Sequence, residues 1–545
     1  MKTARRPELI TLAVAAFVVF VLNVPFWQRL IAAVAPHSFS EWAFVAALAG
    51  GLLVLTNLLL TLIAVRPLFR VVLAIILPVT AAAAYFMHEY GVVIDANMIR
   101  NVFETNSAEA QDLFSVKMAA AIVLLGLLPA YLIWRTPWIE RSFIETVRAN
   151  AKITAISVPL IFALVFPFWG SFLSTFREHR ELRMTLTPSN IASALSKYFQ
   201  QGTALAATVV APYGEDAVRA KPAAAQGRKS LFVIVVGETS RADHFALNGY
   251  DRPTNAELSK IDGLINFPKA YSCGTDTAQS VPCMFSGLGR SGFSNKLAAS
   301  RENLLDILKR SGIDVVWREN QAGCKGVCLR VPTEVLTGVK HPVFYIRSEN
   351  LDEVLLDGLE DRIAKLERDT VIVLHMMGSH GPAYWKRYPE SGEIFKPVCK
   401  ESQFSRCTRE EIINTYDNTI AYTDVVLGKL AKILGQAGTH NVDAGMWYMS
   451  DHGESLGENN IYLHGMPYAI APEAQIHVPM VMWLSPGLSD SIGLDQTCLR
   501  GRAGAKTSHD ALFHTVLGAM NVKTKVYDPA LDLFAPCRAT KTSQP

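Results

Sequence analysis

The 545-residue sequence predicts a multi-pass α-helical membrane domain joined to an α/β domain with a mostly parallel sheet and helices on both faces. Three observations predict it. Long apolar runs are confined to the first third of the chain. All eight cysteines lie at Cys273 or beyond. From Ser230 onward, short β-branched runs alternate with helical patterns, as a parallel sheet with crossover helices requires. The net charge of +3 is small for this length, and no basic stripe is interleaved with aromatics, which argues against nucleic acid as a partner.

Five segments are apolar over roughly the 20 residues a bilayer crossing needs: 9–26, 42–65, 71–87, 118–134 and 153–173. Lys2, Arg5 and Arg6 before the first run suit a signal peptide. No small-residue cleavage site follows Phe26, however, and a signal peptide leaves the other four runs unexplained. Arg66, Arg70, Arg135, Arg141, Arg148 and Lys152 fall on the same side as the N-terminus, against Arg29, Arg100 and Lys117 on the other. The excess of basic residues marks the cytoplasmic side, so an odd number of spans places the C-terminal part outside. The expected boundaries are 1–175 for the membrane domain with five helices, 176–229 for bridging helices and a linker, and 230–545 for the external domain.

Eight cysteines confined to the presumed exterior suggest disulfides in an oxidising compartment. Local pairing of Cys273 with Cys283, Cys324 with Cys328, and Cys399 with Cys407 leaves Cys498 for Cys537. The Cys324–Cys328 spacing also suits a metal, but no second cysteine pair or nearby histidine completes such a site.

Within the external domain, strands are predicted at 231–236, 314–317, 370–374, 446–449 and 478–484, with helices at 301–311, 351–367, 410–435 and 509–520. Ligands of such sheets bind at the carboxyl ends of the strands. There the chain reads Gly237-Glu238-Thr239, Ser450-Asp451-His452-Gly453-Glu454 and His375 through Pro382. A further segment, Ser272 to Ala278, sets hydroxyls before a helix start, whose free N–H groups favour an anion. Each piece has an ordinary reading. A glutamate after a strand is often a cap or surface residue, and Thr277 alone is more often a helix N-cap. Together, two carboxylates (Glu238, Asp451), one imidazole (His452) and one threonine oxygen (Thr277) form a four-coordinate zinc site. Zinc there would lower the hydroxyl pKa and offset charge on a phosphate. His509 and His514 read as structural, with Ser508 as the N-cap before them.

The strings VVGETSRADHFALNGYDRPT, SCGTDTAQSVPCMFS, HMMGSHGPAY and SDHGESLGENNIYLHGMP resemble those of the lipid A phosphoethanolamine transferases, a family that includes mobile colistin-resistance enzymes. The resemblance covers nearly the whole chain and implies an alkaline-phosphatase-like (sulfatase-like) external domain. It implies a bacterial inner-membrane protein with its catalytic domain in the periplasm. Thr277 is then the nucleophile that forms a covalent phosphoethanolamine intermediate. Glu238, Asp451 and His452 are the other zinc ligands, and His380 and His464 surround the transferred group or hold a second zinc. Thr239 and Thr275 compete for the nucleophile role, but the family uses the second threonine of its GT-x-T motif. Asn101, Thr105 and Glu109 recur every four residues, a spacing that places them on one helix face. The resemblance sets that face at the donor's ethanolamine headgroup, where Glu109 would attract the ammonium. Without it, an exposed polar helix face is the ordinary reading. Lys325 resembles a family lysine near the donor, although Ala322 stands where some relatives carry serine. The donor is then phosphatidylethanolamine and the acceptor lipid A. The added ammonium would weaken binding of cationic peptides such as polymyxin, and the expected state is a monomer.

The rival acceptors are a lipopolysaccharide core sugar or a periplasmic glucan. A sulfatase would carry a modifiable Cys or Ser where Thr277 stands, and a phosphatase has little use for five spans. A membrane-anchored binding or sensor protein is the non-enzyme reading. The spans lack the buried charges a transporter needs.

Overall fold

The structure, a computed structural model, describes residues 5–64, 68–105, 107–139, 141–206, 210–220 and 227–538. The side chains of 107–109, 180 and 201–206 lie outside that description, and with them the Glu109 side chain. The chain divides into two compact units, one of residues 1–99 and 114–198 and one of residues 100–113 and 199–545.

Among the described residues of the first unit, four helices are long and apolar enough to cross a membrane: Phe39–Leu62, Leu68–Glu89, Val116–Arg135 and Phe143–Glu178. A bent pair, Pro7–Leu22 and Val24–Val34, makes five if counted as one span. The bend of 59° falls at Asn23, inside the expected first span. Its cause is local. Pro25 supplies no N–H and crowds the preceding turn. The buried Asn23 side chain takes over by donating to the Val18 and Thr187 carbonyls (2.9 and 2.8 Å) and accepting from Thr187 N–H. Large apolar side chains such as Phe162, Ile156 and Leu124 point outward. That inversion of the soluble pattern is what a lipid solvent favours. Helices approach closely at Gly126, where a Cβ would meet the Pro78 backbone at 2.6 Å.

The second unit is built on a seven-stranded sheet. Its strands are β1 (Lys229–Gly237), β2 (Ile265–Asn266), β3 (Asp314–Glu319), β4 (Thr333–Val335), β5 (Thr370–His375), β6 (Val442–Ser450) and β7 (Met480–Leu484). Their spatial order is β2-β7-β6-β1-β5-β3-β4. The five from β6 to β4 are parallel, and β7 and β2 close one edge antiparallel. Residues 231–236 of β1 are buried on both faces, which explains their unbroken apolar run. Phe232, Ile234 and Val236 share a core with Val281, Phe285, Leu512 and Val516. Leu231, Val233 and Val235 point to the opposite face. Burying each such side chain contributes roughly 1.5–3 kcal/mol.

Two expected helices differ. The 351–367 segment splits into Asp352–Leu356 and Leu359–Ala364, because Gly358 sits between them at φ 68°. The final helix is Ala511–Ala519, and its N-cap position is Asp510 rather than Ser508. The four disulfides are Cys273–Cys283, Cys324–Cys328, Cys399–Cys407 and Cys498–Cys537, the pairs read from spacing.

Candidate active site at the carboxyl ends of the strands

Parallel pairing in register brings the ends of β1, β5 and β6 level, with Gly237 opposite Ser450 and Val236 opposite His375. The chain leaves β1 into Glu238 and β6 into Asp451 and His452, all fully buried. Glu238 is held tightly from behind. At Gly378 (φ 51°), a Cβ would fall 2.7 Å from the Glu238 carbonyl oxygen, so only glycine lets the two loops pass.

Thr277 is the first residue of the helix Thr277–Ser286. Asp276, not Thr277, is the N-cap; its carboxylate accepts from Gln279 N–H at 3.0 Å. The Cys273–Cys283 disulfide brackets this turn. As the first two helical residues, Thr277 and Ala278 have no intrahelical acceptor for their N–H groups, which suits an anionic ligand.

The side chains converge. Thr277 Oγ1 donates to Glu238 Oε2 at 2.9 Å and lies 3.4 Å from His452 Nε2. That nitrogen is 3.3 Å from Glu238 Oε1 and 3.4 Å from Asp451 Oδ2. His452 Nδ1 faces the Gly453 carbonyl at 2.9 Å, which assigns the proton there and leaves Nε2 for the cluster. His464 stacks against His452 with ring centroids 4.3 Å apart. Its Nδ1 bonds Glu454 Oε2 (2.7 Å), whose other oxygen accepts from Tyr384 OH (2.6 Å). A Glu238 oxygen and ring nitrogens of His452 and His464 lie within 4.8 Å of one another. His380 joins the rim, its ring centroid 5.6 Å from that of His464.

Electrostatics set the character of the cluster. Burial and the neighbouring Glu238 push the Asp451 carboxyl up to about 7. Burial works against charge on Glu238 and His452. Their mutual attraction outweighs it, holding Glu238 below the usual carboxylate range and, with Asp451, raising His452 to about 10. Two buried carboxylates that face one imidazole nitrogen are stabilised by positive charge between them. The donor set fits zinc on this geometry: Glu238 Oε1 and Asp451 Oδ2 are buried without a hydrogen bond, and both face His452 Nε2.

The competing threonines are placed differently. Thr275 Oγ1 is committed to the Met466 carbonyl (2.6 Å), and Thr239 is buried at φ 53° with its amide on Asp451 Oδ1. Asn101 and Thr105 keep their i, i+4 relation through Thr105 N–H to Asn101 C=O (2.8 Å), but the helix Ala96–Glu104 ends there and Ser107–Leu113 is separate. The expected single helix face through Glu109 is therefore broken after Thr105. Lys325 Nζ lies 3.0 Å from the Ala322 carbonyl and 3.9 Å from Glu104 Oε2. A cavity of about 200 Å³ lined by Arg100, Glu104, Ala278, Pro282, Arg301 and Lys325 opens beside the Thr277 helix.

Sequence reading missed Gln321, whose amide donates to Glu238 Oε2 at 3.0 Å. Behind it, Glu319 Oε1 accepts the Gln321 N–H (2.7 Å), while Oε2 takes Trp317 Nε1 (2.7 Å) and His375 Nδ1 (2.9 Å). The available signal was position, because Gln321 follows the carboxyl end of β3. His509 is a bridge: Nδ1 accepts from Cys273 N–H (3.1 Å) and Nε2 donates to the Ser450 carbonyl (2.9 Å).

A mostly parallel sheet with acids, histidine and a hydroxyl at its strand ends defines the alkaline-phosphatase and sulfatase class. Residues 230–522 match the sulfatase family, and residues 52–203 match the family described as phosphoethanolamine transferase EptA/EptB. The chain is 40% identical over 544 residues to the phosphoethanolamine transferase EptA of Escherichia coli strain K12, covering 98% of each. It is 34% identical to the phosphatidylethanolamine transferase Mcr-1 of Escherichia coli, covering 95% of each. Its structure is similar to that of the integral membrane protein lipooligosaccharide phosphoethanolamine transferase A from Neisseria meningitidis. The TM-score is 0.94 at 34% identity, over 98% of this chain and 99% of that one. This chain belongs to the phosphoethanolamine transferase family.

Proposed function

We propose that the chain moves phosphoethanolamine from phosphatidylethanolamine to a phosphate of lipid A, through a covalent intermediate on Thr277. The observation that carries the reading is the meeting of Thr277 Oγ1 with Glu238 and His452 at 2.9 and 3.4 Å, from segments far apart in sequence. The donor follows the printed name of the Mcr-1 relative. The acceptor class follows that of the Neisseria relative, which names lipooligosaccharide.

Zinc would be held by Glu238, Asp451, His452 and Thr277, and when bound it would lower the hydroxyl pKa and offset phosphate charge. Thr277 Oγ attacks the donor phosphorus, with Glu238 Oε2 positioned at 2.9 Å toward its proton. The bond from phosphorus to the diacylglycerol oxygen breaks, and His464 or His380 at the rim supplies the proton that oxygen needs. A lipid A phosphate hydroxyl then attacks the same phosphorus, its proton restoring the histidine that gave one up, and Thr277 leaves as the hydroxyl by taking back the proton from Glu238. Glu454 holds the His464 tautomer so that Nε2 faces the site. Lys325, which lines the cavity next to Ala278, would grip the donor headgroup, and by the family likeness Asn101, Thr105 and Glu109 would share that role.

The basic residues flanking the apolar helices and the four disulfides support a bacterial inner-membrane protein with its catalytic unit in the periplasm. The test is mass spectrometry of lipid A from cells making the chain. Wild type should add phosphoethanolamine, and Thr277→Ala should lower the product by at least about 10³-fold while still folding. Unchanged product from Thr277→Ala would reject the nucleophile. Modification of a core sugar or a glucan alone would reject the acceptor.

A further inference from the structure

The Arg387 guanidinium reaches three separate stretches of the catalytic unit at once. Its Nε donates to the His380 carbonyl at 2.8 Å, Nη1 pairs with Glu349, and Nη2 donates to Asp112 Oδ2 at 3.0 Å. Asp112 lies 275 positions earlier in the chain, in the short helix Ser107–Leu113, and also pairs with Lys386. Lys386 Nζ in turn lies 3.9 Å from Glu349. Among the described residues, Asp112 and Glu349 meet Lys386 and Arg387 in one cluster, in which the Asp112 and Arg387 side chains are each 2% exposed.

Stability alone does not explain such a cluster. Removing two ions from water costs about as much as their attraction returns, so a buried pair is a weak source of net stability. What it supplies is geometry. The guanidinium is a planar fork whose donors point in set directions, and here each direction is used by a different segment. One branch ends on the main chain of His380, at the rim of the site. Another ends on the 100–113 segment, which carries Asn101, Thr105 and the cavity-lining Arg100 and Glu104.

We propose that Arg387 and Asp112 are positioning residues that seat the 100–113 segment and His380 in one register. Donor headgroup and proton-moving imidazole then meet Thr277 together. Neither residue touches a reacting atom. The proposal rests on the transfer reading above, and the spacing of Lys386 and Arg387 after His380 makes the coupling short.

The test uses the full-length chain in a bilayer mimic. Asp112→Asn keeps the shape and removes the charge. It should raise KM for phosphatidylethanolamine about tenfold while kcat stays within about twofold, because the donor-side segment loosens. Arg387→Lys keeps the charge but gathers its donors on one nitrogen, which cannot span the three places that Nε, Nη1 and Nη2 reach. It should lower kcat by about 10²-fold as well, through displaced His380. The double variant should be no worse than Arg387→Lys, since both act through one chain of contacts. Hydrogen exchange over 100–113 should rise in each variant. A merely structural role would reduce the active fraction and leave KM unmoved, and that outcome overturns the proposal. Unchanged exchange over 100–113 also overturns it, and Arg387→Lys reports this even where Asp112→Asn does not accumulate. A wild-type chain that transfers nothing would sink the transfer reading and the kinetic half of this one, while exchange still judges the seat.

Discussion

The two ends of the catalytic sheet hold their acids in opposite circumstances. At the amino ends, Asp443 of β6 takes Arg228 at 2.9 Å, and Asp369 before β5 takes Arg219 and the Ser230 N–H. Each carboxylate there has an arginine. At the carboxyl ends, Glu238 and Asp451 are fully buried, share one imidazole, and keep two oxygens without a hydrogen bond. Folding alone would favour the first arrangement, because like charges brought together out of water raise the energy of the folded state. The second persists where the surrounding strands over-determine it, which is how sites for charged ligands are recognised.

That contrast can be sharpened or broken. The largest effect on metal affinity is expected at Gln321, which aims Glu238 without joining the cluster. Gln321→Ala should weaken zinc binding about 10–100-fold, as loss of an outer partner to a ligand does. Competition against a chelator of known affinity measures it; an unchanged affinity would mean that Glu238 is oriented by the backbone alone.

A separate effect, on stability rather than on metal affinity, follows from His509, which ties the Thr277 turn to the end of β6. Burial lowers its imidazole from the ordinary 6.5 to about 4. The unfolded chain therefore binds more protons between those values, so stability is fully present above pH 6.5 and is lost as pH falls toward 4. The loss is about 3 kcal/mol across that window. His509→Gln should flatten melting temperature against pH in that range. A variant that keeps the wild-type slope would assign the dependence to another group.

The smallest effect belongs to the amino end. Asp443→Ala removes the partner of Arg228, a pair in which the arginine is 36% exposed and the aspartate 10%, and should cost about 1–2 kcal/mol. Transfer by that variant should match wild type; a loss of activity there would erase the distinction between the two ends.

Much of this was legible in advance. Apolar runs identify membrane helices because hydrocarbon accepts no unpaired backbone, and strand ends identify the site because parallel sheets present their loops on one edge. Strand ends point in this way to Glu238, Asp451 and His452, and the helix start to Thr277; the four side chains do meet, and the disulfide partners close in sequence do pair. The misses have physical causes. Asn23 and Pro25 bend the first span through a bond to Thr187 that no local pattern records. Gly358 at φ 68° interrupts a run whose apolar spacing reads as one helix. The Asn101, Thr105 and Glu109 spacing is helical, yet the helix ends at Glu104, because periodicity does not mark where a chain turns.

Which residue types stand at the strand ends, which segments suit lipid, and which cysteines lie near enough to pair can all be read along the chain. Those are properties of neighbours along the chain. Folding in three dimensions sets which oxygen of Glu238 meets Thr277 and which meets His452. It also decides that Gln321 stands behind the carboxylate, and that Asp112 reaches Arg387 across 275 positions. Such contacts depend on directions in space, and hydrogen bonds and ion pairs weaken within ångströms of misplacement, so separation in sequence carries no information about them.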